Sequence, residues 1–389
     1  MRFHHGVRYV SANPACGING HPMPKMRPDT IPQALHRRIR RHVQAKAHQF
    51  FAVVQPGFEH TALRELRDVN IGNEHALERG GLSFSGTLDD CYRANIASRT
   101  ITRIIMRIAE FHVRRFAKLR ELAGEIPWEL FLTPARPVSF AIAVHASRLY
   151  HTERIAQECY RAIRARFTLC GLEHPAWDSA AQSDDLAQTI FIRIVDDRCT
   201  VSLDSTGAPL YKRGYKTLTT DAPLRETTAA ALLIEAECAQ ATLLIDPMCG
   251  SGTFSLEAGM IALGIPPGLG RHFAFEHWPA YSDPARRFIE KELQKHIIAP
   301  RDTAFRLITS DIDHRALSAA RANLSSAGLA EIASFRCEDF FSSDIAVSKE
   351  TTALIALNPP YGKRLGDPAQ TLEMYKRIGN TLRSVPHVR

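Results

Sequence analysis

The sequence predicts an α/β protein in which a parallel, doubly wound sheet follows a smaller α+β, ferredoxin-like region. The first prediction depends on uniformly apolar strands that alternate with helices from residue 242 onwards, a pattern typical of parallel strands covered on both faces. The second depends on a strand–helix–strand–helix–strand succession after residue 49, which is typical of a ferredoxin-like unit. The predicted domains are a basic, disordered tail (1–48), a ferredoxin-like subdomain (49–112), a second α+β unit (113–208) and the doubly wound domain (209–389).

The basic character of the protein comes from its first 48 residues. The chain has 389 residues with 49 Lys/Arg and 41 Asp/Glu, a formal net charge of +8. Nine cations and one acid, Asp29, lie in residues 1–48, so the remainder holds 40 of each sign (49 − 9 and 41 − 1). A basic extension favours polyanions through counterion release. A solvated extension, residues upstream of a true start, or a transit-peptide-like leader would have the same composition. We expect the first 30 residues to be disordered and residues 31–47 to form a basic helix.

The composition favours a cytoplasmic protein without membrane segments. Hydrophobic residues make up 45% and charged residues 23% of the chain, as in ordinary soluble proteins. No apolar run approaches the roughly 20 residues that a membrane span needs, and the amino terminus lacks the apolar centre of a secretory signal. The eight cysteines include no CxxC pair and no zinc-ligand spacing. We therefore expect reduced thiols and no metal site, while the oligomeric state is left open.

Turns and helix-capping residues predict the elements of the ferredoxin-like subdomain. The strand in "QFFAVVQPGFEHTALRELRD" ends at Pro56–Gly57 and is followed by an amphipathic helix. "GGLSFSG" is a short strand, and Thr87 with two following acids opens the next helix. The alternation in "TITRIIMRIAEFHV" predicts the last strand.

The second α+β unit contains the same kinds of element. Its predicted elements are a helix near 117–124, a strand at 138–144, a helix at 152–167 and the strands "TIFIRIVDD" and "RCTVSLDS". Residues 91–120, which lead into it, hold eight Arg/Lys and one acid, Glu110. This concentration of charge is either a nucleic-acid-binding face or a set of arginines that solvate one strand and one helix.

The segment "LLIDPMCGSGTF" carries the most chemical information in the doubly wound domain. A buried strand ends in Asp246, and a tight turn through Met248, Gly250 and Gly252 leads into a helix at Thr253. Glycines let a ligand approach the backbone without a Cβ in the way. The segment matches neither the GxGxxG dinucleotide fingerprint nor a Walker A loop. An acid before the glycines suits a cationic ligand such as S-adenosylmethionine, so these five residues are the predicted cofactor turn.

Two further acids follow the next two strands. Asp311 ends the strand in "FRLITSD", where a carboxylate can accept both hydroxyls of a ribose. Asp313 is interpreted as the N-cap of the helix that follows. Asp339 in "CEDFF" can accept a hydrogen bond from an adenine amino group, with Phe340 beside the ring. At least one of Phe340 and Phe341 is expected to be an ordinary core residue.

The stretch "ALIALNPPYGKRLG" places Asn358, Pro359, Pro360 and Tyr361 just after a fourth strand. An exocyclic amine of a nucleobase is a poor nucleophile because its lone pair is delocalised into the ring. Acceptors aimed at its hydrogens, the Asn358 side-chain oxygen and the Pro359 carbonyl, would favour the sp³ nitrogen that attacks a methyl group. The prolines fix φ and hold that carbonyl in place, and Tyr361 can stack on an extruded base. The alternative is a Pro-Pro turn that only ends the strand.

In this order and spacing, "DPMCGSGT", "SDID", "CEDFF" and "NPPYG" resemble the class I S-adenosylmethionine-dependent methyltransferases that modify exocyclic amino groups. The preceding "LYKRGYK…APLRETTAAALL" and the two α+β units resemble the THUMP-containing RNA methyltransferases, most of all those that modify guanine N2 in bacterial large-subunit (23S) rRNA. The resemblance covers about 49–385. It implies a Rossmann-like sheet, a THUMP RNA-binding domain over 113–208 and S-adenosyl-L-methionine as cofactor. It also implies phosphate contacts by Arg148, Lys212, Arg213 and Lys216.

The resemblance leaves the target amine open, since NPPY also occurs in DNA adenine-N6 and cytosine-N4 methyltransferases and in glutamine methyltransferases of release factors. The expected reaction is methylation of guanine N2 in 23S rRNA. The alternatives are tRNA guanine-N2 methylation, DNA adenine-N6 methylation, and a catalytically silent RNA-binding protein. A class I sheet has seven strands, whereas 28 residues follow Tyr361 in the 389-residue chain. We therefore expect a sheet that is incomplete after its fourth strand, because the chain is a fragment or because a partner supplies the remainder.

Overall fold

The structure, a computed structural model, describes residues 32–178, 187–216, 218, 224–343, 347–348, 351–360 and 368–385. The elements of the amino-terminal half are, in chain order, α1 (Gln33–Ile39) with a π-helical continuation over Arg40–Gln44, β1 (His48–Val54), α2 (Glu59–Asp68), β2 (Asn73–Glu78), β3 (Gly81–Gly86), α3 (Leu88–Ala97), β4 (Ile101–His112), α4 (Phe116–Glu125), β5 (Val138–His145), α5 (Thr152–Leu169), β6 (Gln188–Val195) and β7 (Arg198–Asp204). Those of the carboxyl-terminal half are α6 (Glu226–Glu235), β8 (Leu243–Asp246), α7 (Thr253–Ala262), α8 (Asp283–Gln294), β9 (Arg306–Asp311), α9 (His314–Ser326), β10 (Ala333–Cys337), β11 (Ala353–Ile355) and α10 (Pro368–Ser384).

The amino-terminal half is built on one seven-stranded sheet of order β2-β3-β1-β4-β7-β6-β5. Only β5 and β6 run parallel among these neighbours. The antiparallel pair β4–β7, in which Met106 lies opposite Leu203, joins the ferredoxin-like subdomain to the second α+β unit. The sheet therefore continues across the predicted boundary at residue 112. The predicted opening of α3 is confirmed, since Thr87 and Asp90 form a reciprocal capping box.

The predicted basic helix is present and belongs to the folded body. Ile39 and Val43 are each 1% exposed and lie in the amino-terminal core. The expectation of a disordered tail up to residue 48 is therefore wrong for residues 33–48, because the apolar side of this helix is buried. Residues 1–31 lie outside the described part of the chain.

The carboxyl-terminal half contains a four-stranded parallel sheet of order β10-β9-β8-β11. Helices connect β8 to β9 and β9 to β10, as predicted for a doubly wound sheet. Strands β10 and β11 are shorter than the strands predicted over residues 332–339 and 352–358. Helix α8 was not predicted. Its start could have been recognised from Ser282, which accepts a hydrogen bond from the Ala285 amide and stands two residues before Pro284. In the described ranges, no helix is both long and apolar enough to cross a membrane.

The segment between α7 and α8 packs into the core of the amino-terminal half. The Gly268 amide donates to the Ile96 carbonyl at 2.9 Å, and the Phe275 amide donates to the Ser205 carbonyl at 3.1 Å. The rings of Phe275 and Tyr92 stack with centroids 4.4 Å apart. The two halves are therefore joined by an apolar core as well as by the chain that connects them.

Candidate active site

A cavity of about 930 Å³ opens at the carboxyl ends of the strands in the parallel sheet. Parallel strands bring these ends to one edge, where ligands bind in open α/β sheets. The cavity is lined by most of the predicted site residues, namely Asp246, Met248, Gly250, Thr253, Asp311, Asp339 and Asn358. Gly252 and Pro359 are not among the lining residues, and Tyr361 lies outside the described residues.

Asp246, at the end of β8, is 1% exposed and its carboxylate is only half satisfied. Its Oδ2 accepts from the Ser255 amide at 3.2 Å and from the Ser255 hydroxyl at 2.9 Å. Its Oδ1 has no hydrogen-bond partner among the described residues. Burial, with a smaller contribution from the charge of Asp311, raises the pKa of Asp246 to about 7. A buried carboxylate with a free oxygen suits a ligand that brings its own positive charge.

Asp311, at the end of β9, shapes the cofactor turn. Its Oδ2 accepts from the Gly250 amide at 2.8 Å, and its Oδ1 accepts from the Asp313 amide at 2.9 Å. Each oxygen keeps a second lone pair for a ligand hydroxyl. The interpretation of Asp313 as an N-cap is confirmed, because its side chain accepts from the Arg315 amide at 2.8 Å.

Asp339 follows β10 and also faces the cavity. Its Oδ1 accepts from the Phe341 amide at 3.0 Å, which fixes the carboxylate beside the ring. Phe340 is 2% exposed although it touches the cavity, so it is the core aromatic of the pair. Phe341 also lines the cavity, and the Arg377 guanidinium lies 3.9 Å from its ring centroid. Arg377 lies on α10 and was not among the predicted site residues. No local sequence pattern indicates that an exposed residue of this helix lies over the cavity.

Gly252 was predicted to let a ligand approach the backbone, but its missing side chain instead lets two helices pack closely. It is the N-cap of α7 with φ +82°, a conformation that favours glycine. A Cβ there would lie 3.0 Å from Leu324 Cδ1 and 3.1 Å from the Ala320 Cβ on α9. The absence of a side chain therefore lets α7 and α9 approach each other below the turn.

Asn358 lies just beyond β11, and its position is set by the sheet. The Ala356 amide donates to the Ile245 carbonyl at 3.0 Å, one step past the last residue of β11. Asn358 is half-buried and lines the cavity together with Pro360. The amide side chain therefore reaches the same space as the three carboxylates.

Two of the four predicted phosphate contacts are buried, which contradicts that role for them. Arg213 is 4% exposed and forms an ion pair with Glu257 on α7, with Nε 3.2 Å from Oε1. Lys216 Nζ lies 3.0 Å from Glu226 and donates to the Thr253 hydroxyl at 2.8 Å. Both cations hold the linker against the cofactor turn and its helix, and are not available to RNA.

Arg148 and Lys212 are exposed and stay candidate phosphate contacts. The wider face over 91–120 is largely neutralised. Arg99 is half-buried, and its guanidinium donates to the Met260 and Ile265 carbonyls at 3.2 and 2.8 Å. Acids pair with most of the others: Arg103 with Asp204, Arg107 with Glu78, Arg114 with Asp197, Lys118 with Glu121, and Arg120 with Glu158. The local charge of this segment therefore does not translate into a cationic surface.

Comparison with known proteins finds two family matches. Residues 213–388 match the family described as RMKL-like, methyltransferase domain, and residues 49–105 match the RlmL ferredoxin-like domain. Ribosomal RNA large subunit methyltransferase K/L of Syntrophotalea carbinolica is 32% identical over 342 residues, which are 86% of this chain and 47% of that protein. The chain spans about half the length of the large-subunit methyltransferases that it matches.

A shorter relative and a solved structure match over most of their length. YpsC of Bacillus subtilis, which is named as an RNA methyltransferase, is 30% identical over 86% of this chain and 84% of its own. SMU.472, described as a methyltransferase and solved with SAH, superimposes with a TM-score of 0.78 and 27% identity over 88% of each chain. The chain therefore belongs to the RMKL-like methyltransferase family, with a ferredoxin-like region before a class I, S-adenosylmethionine-dependent methyltransferase domain.

Proposed function

We propose that this protein transfers a methyl group from S-adenosylmethionine to the N2 amine of a guanine in large-subunit rRNA. The observation that carries the proposal is the single cavity that Asn358 shares with Asp246, Asp311 and Asp339. An amide side chain that could accept from an amine thus lines the same space as three carboxylates that could hold a cationic nucleoside. The ferredoxin-like region and the names of the curated relatives favour RNA over DNA as the substrate.

The residues of the cavity fit the cofactor group by group. The free oxygen of Asp246 would accept from the ammonium end of the ligand, because that buried oxygen has no donor among the described residues. Asp311 would accept from the ribose hydroxyls, and Asp339 would accept from the adenine amino group beside Phe341. Met248, Gly250 and Thr253 form the turn that borders the ligand. When bound, the cofactor supplies a methyl group on a positively charged sulfur.

Asn358 and its neighbours would prepare the amine for attack. The Asn358 side-chain oxygen and the Pro359 carbonyl would accept its two N–H groups, which localises the lone pair on nitrogen. The new N–C bond would form as the S–C bond breaks, so that the positive charge moves from sulfur to nitrogen. The cationic nitrogen would then release one of the two protons held by these acceptors to solvent. Tyr361 would stack on the extruded base, while Arg148 and Lys212 would contact phosphates.

The test is methyl transfer from labelled cofactor to separated nucleic acids. Large-subunit rRNA lacking its methyl groups, tRNA and DNA are offered to the purified 389-residue chain, and labelled nucleosides are identified by chromatography. Label in N2-methylguanosine of rRNA is the expected result. Label in tRNA or in N6-methyladenine of DNA would replace the proposed substrate. Cofactor and RNA binding without any transfer would instead indicate a silent RNA-binding protein.

A further inference from the structure

The helix α1 and its π-helical continuation present a cationic side to solvent. Residues 33–47 contain five Lys/Arg and no acid. Four of the cations are exposed, namely Arg37, Arg40 and Arg41 on the helix and Lys46 in the bend that follows it, and they are called the basic helix face below. None of the four forms an ion pair within the part of the chain that the structure describes.

The helix is fixed to the body on its opposite side. Ile39 and Val43 insert into the amino-terminal core. Arg38 pairs with the buried Glu129 at 2.6 Å, and Gln44 donates to the Ala280 carbonyl at 3.0 Å. The apolar side of the helix is therefore buried against the body, which fixes the position of the exposed cations. No apolar stripe of this helix is left to insert into a lipid surface.

The charge of the basic helix face is not cancelled by its surroundings in sequence. Residues after 48 hold 40 cations and 40 acids (49 − 9 and 41 − 1), and most cations of the 91–120 segment form ion pairs. The basic helix face is thus part of the segment that carries the whole net charge. The helix also precedes both family matches, which begin at residues 49 and 213.

We propose that the basic helix face is an additional contact for the RNA sugar–phosphate backbone. The proposal rests on the RNA substrate of the proposed function and adds a surface to it. Arg37, Arg40 and Arg41 have the i, i+3 and i+4 spacing that places side chains side by side on a helix surface, with Cβ atoms about 5–6 Å apart. A nucleic-acid strand carries one charge per roughly 3.4 Å of helix axis. Neighbouring arginines of the face are therefore between one and two phosphate spacings apart.

The salt dependence of RNA binding tests the contact directly. The triple variant R37Q/R40Q/R41Q and the unchanged protein are titrated with a defined RNA hairpin between about 50 and 200 mM salt. Each lost phosphate contact reduces the slope of log K against log salt by about 0.7–0.9. Three contacts reduce the salt-induced loss of affinity over this range by about 20- to 40-fold. An unchanged slope overturns the proposal.

Two further variants separate the face from general charge and from misfolding. K295Q/R301Q/R306Q removes the same charge from exposed positions near the amino end of β9. It is expected to change the slope of log K against log salt by less than the value of one phosphate contact, about 0.7–0.9. R37K/R40K/R41K keeps the charge and is expected to restore the slope. Two outcomes contradict a phosphate contact. One is an equal reduction of the salt slope in R37Q/R40Q/R41Q and in K295Q/R301Q/R306Q, and the other is a slope that R37K/R40K/R41K does not restore. Loss of binding to anionic phospholipid vesicles without any change in RNA binding would indicate a lipid surface instead.

The outcome is independent of methyl transfer. If the unchanged protein transfers no methyl group to rRNA, the proposed function fails while the hairpin titration still reports on the basic helix face. If transfer occurs, the first triple variant is expected to raise the KM for RNA and to leave kcat unchanged. A fall in kcat at saturating RNA would contradict a role confined to RNA capture.

Discussion

The pKa of Asp246 predicts how cofactor binding depends on pH. Burial raises this pKa from 3.8 to about 7, and we expect a cationic ligand to require the ionised carboxylate. About 3% of the group is ionised at pH 5.5 and half at pH 7.0, so the Kd for S-adenosylmethionine should fall about 15-fold over this interval. The interval lies below the ordinary pKa of an α-amino group, about 7.7–8.0, so the ligand ammonium stays protonated throughout.

The same shift predicts a stability change of the unliganded protein. A carboxyl group whose folded-state pKa is raised contributes stability that is complete below its unfolded pKa and is lost as the pH rises through its folded pKa. The window for Asp246 is therefore pH 3.8 to about 7. A difference of about three pKa units corresponds to a loss on the order of 4 kcal/mol. Asp246→Asn removes this titration, so the variant should unfold at a higher temperature than the unchanged protein at pH 8, by a smaller margin at pH 5 and by none below pH 3.8.

Calorimetry at pH 5.5, 6.2 and 7.0 measures both Kd and proton release, and thermal unfolding measures stability. Asp246→Asn should bind weakly with no pH dependence. Asp313→Asn is the matched control, because Asp313 also lines the cavity but caps a helix, and asparagine caps equally well. That variant should keep the pH dependence. A wild-type Kd that changes less than twofold, or a pH dependence that survives in Asp246→Asn, would refute the reasoning.

Three further predictions follow from the site. Asn358→Ala should abolish methyl transfer and leave the calorimetric Kd of the cofactor within about threefold; transfer at the unchanged rate would remove Asn358 from the mechanism. Arg213→Met leaves the buried Glu257 without its cation and with only the Tyr215 hydroxyl as a side-chain donor. It should lower the free energy of unfolding by about 3–5 kcal/mol in urea titrations, and the double change with Glu257→Leu should recover part of the loss. Gly252→Ala combines a left-handed φ with contacts to Ala320 near 3 Å, and should lower the free energy of unfolding by about 1–3 kcal/mol in the same titration. A decrease below about 0.5 kcal/mol would show that α9 shifts to accommodate the methyl group.

The cavity was predictable because its residues follow strands. An acid at the end of an apolar run and glycines in the next turn depend on local geometry, which the sequence determines over a few residues. Asp246, Asp311 and Asp339 then meet because parallel strands share one edge. The prediction of the N-cap at Asp313 succeeded for the same local reason.

The cationic surface was not predictable in this way. Whether an arginine faces solvent depends on which acid the fold brings to it, as Asp204 to Arg103 and Glu257 to Arg213. These partners are separated by about 100 and about 40 residues, respectively, so charge counted along the chain overestimates the surface over 91–120. The opposite error occurred before residue 48, where Ile39 and Val43 fix a helix that composition alone assigned to a tail.

The linker cations that were expected to bind RNA set the geometry of the site instead. The Arg213 guanidinium donates to the Arg99 carbonyl at 2.6 Å in the amino-terminal half and pairs with Glu257 on α7. Lys216 donates to Thr253, the first residue of that helix and part of the cofactor turn. Moving one half against the other would leave these charges buried without partners, which is costly. In the proposed function, the distance from captured RNA to Asn358 is therefore fixed by the linker, and target choice becomes a matter of RNA shape as well as of base identity.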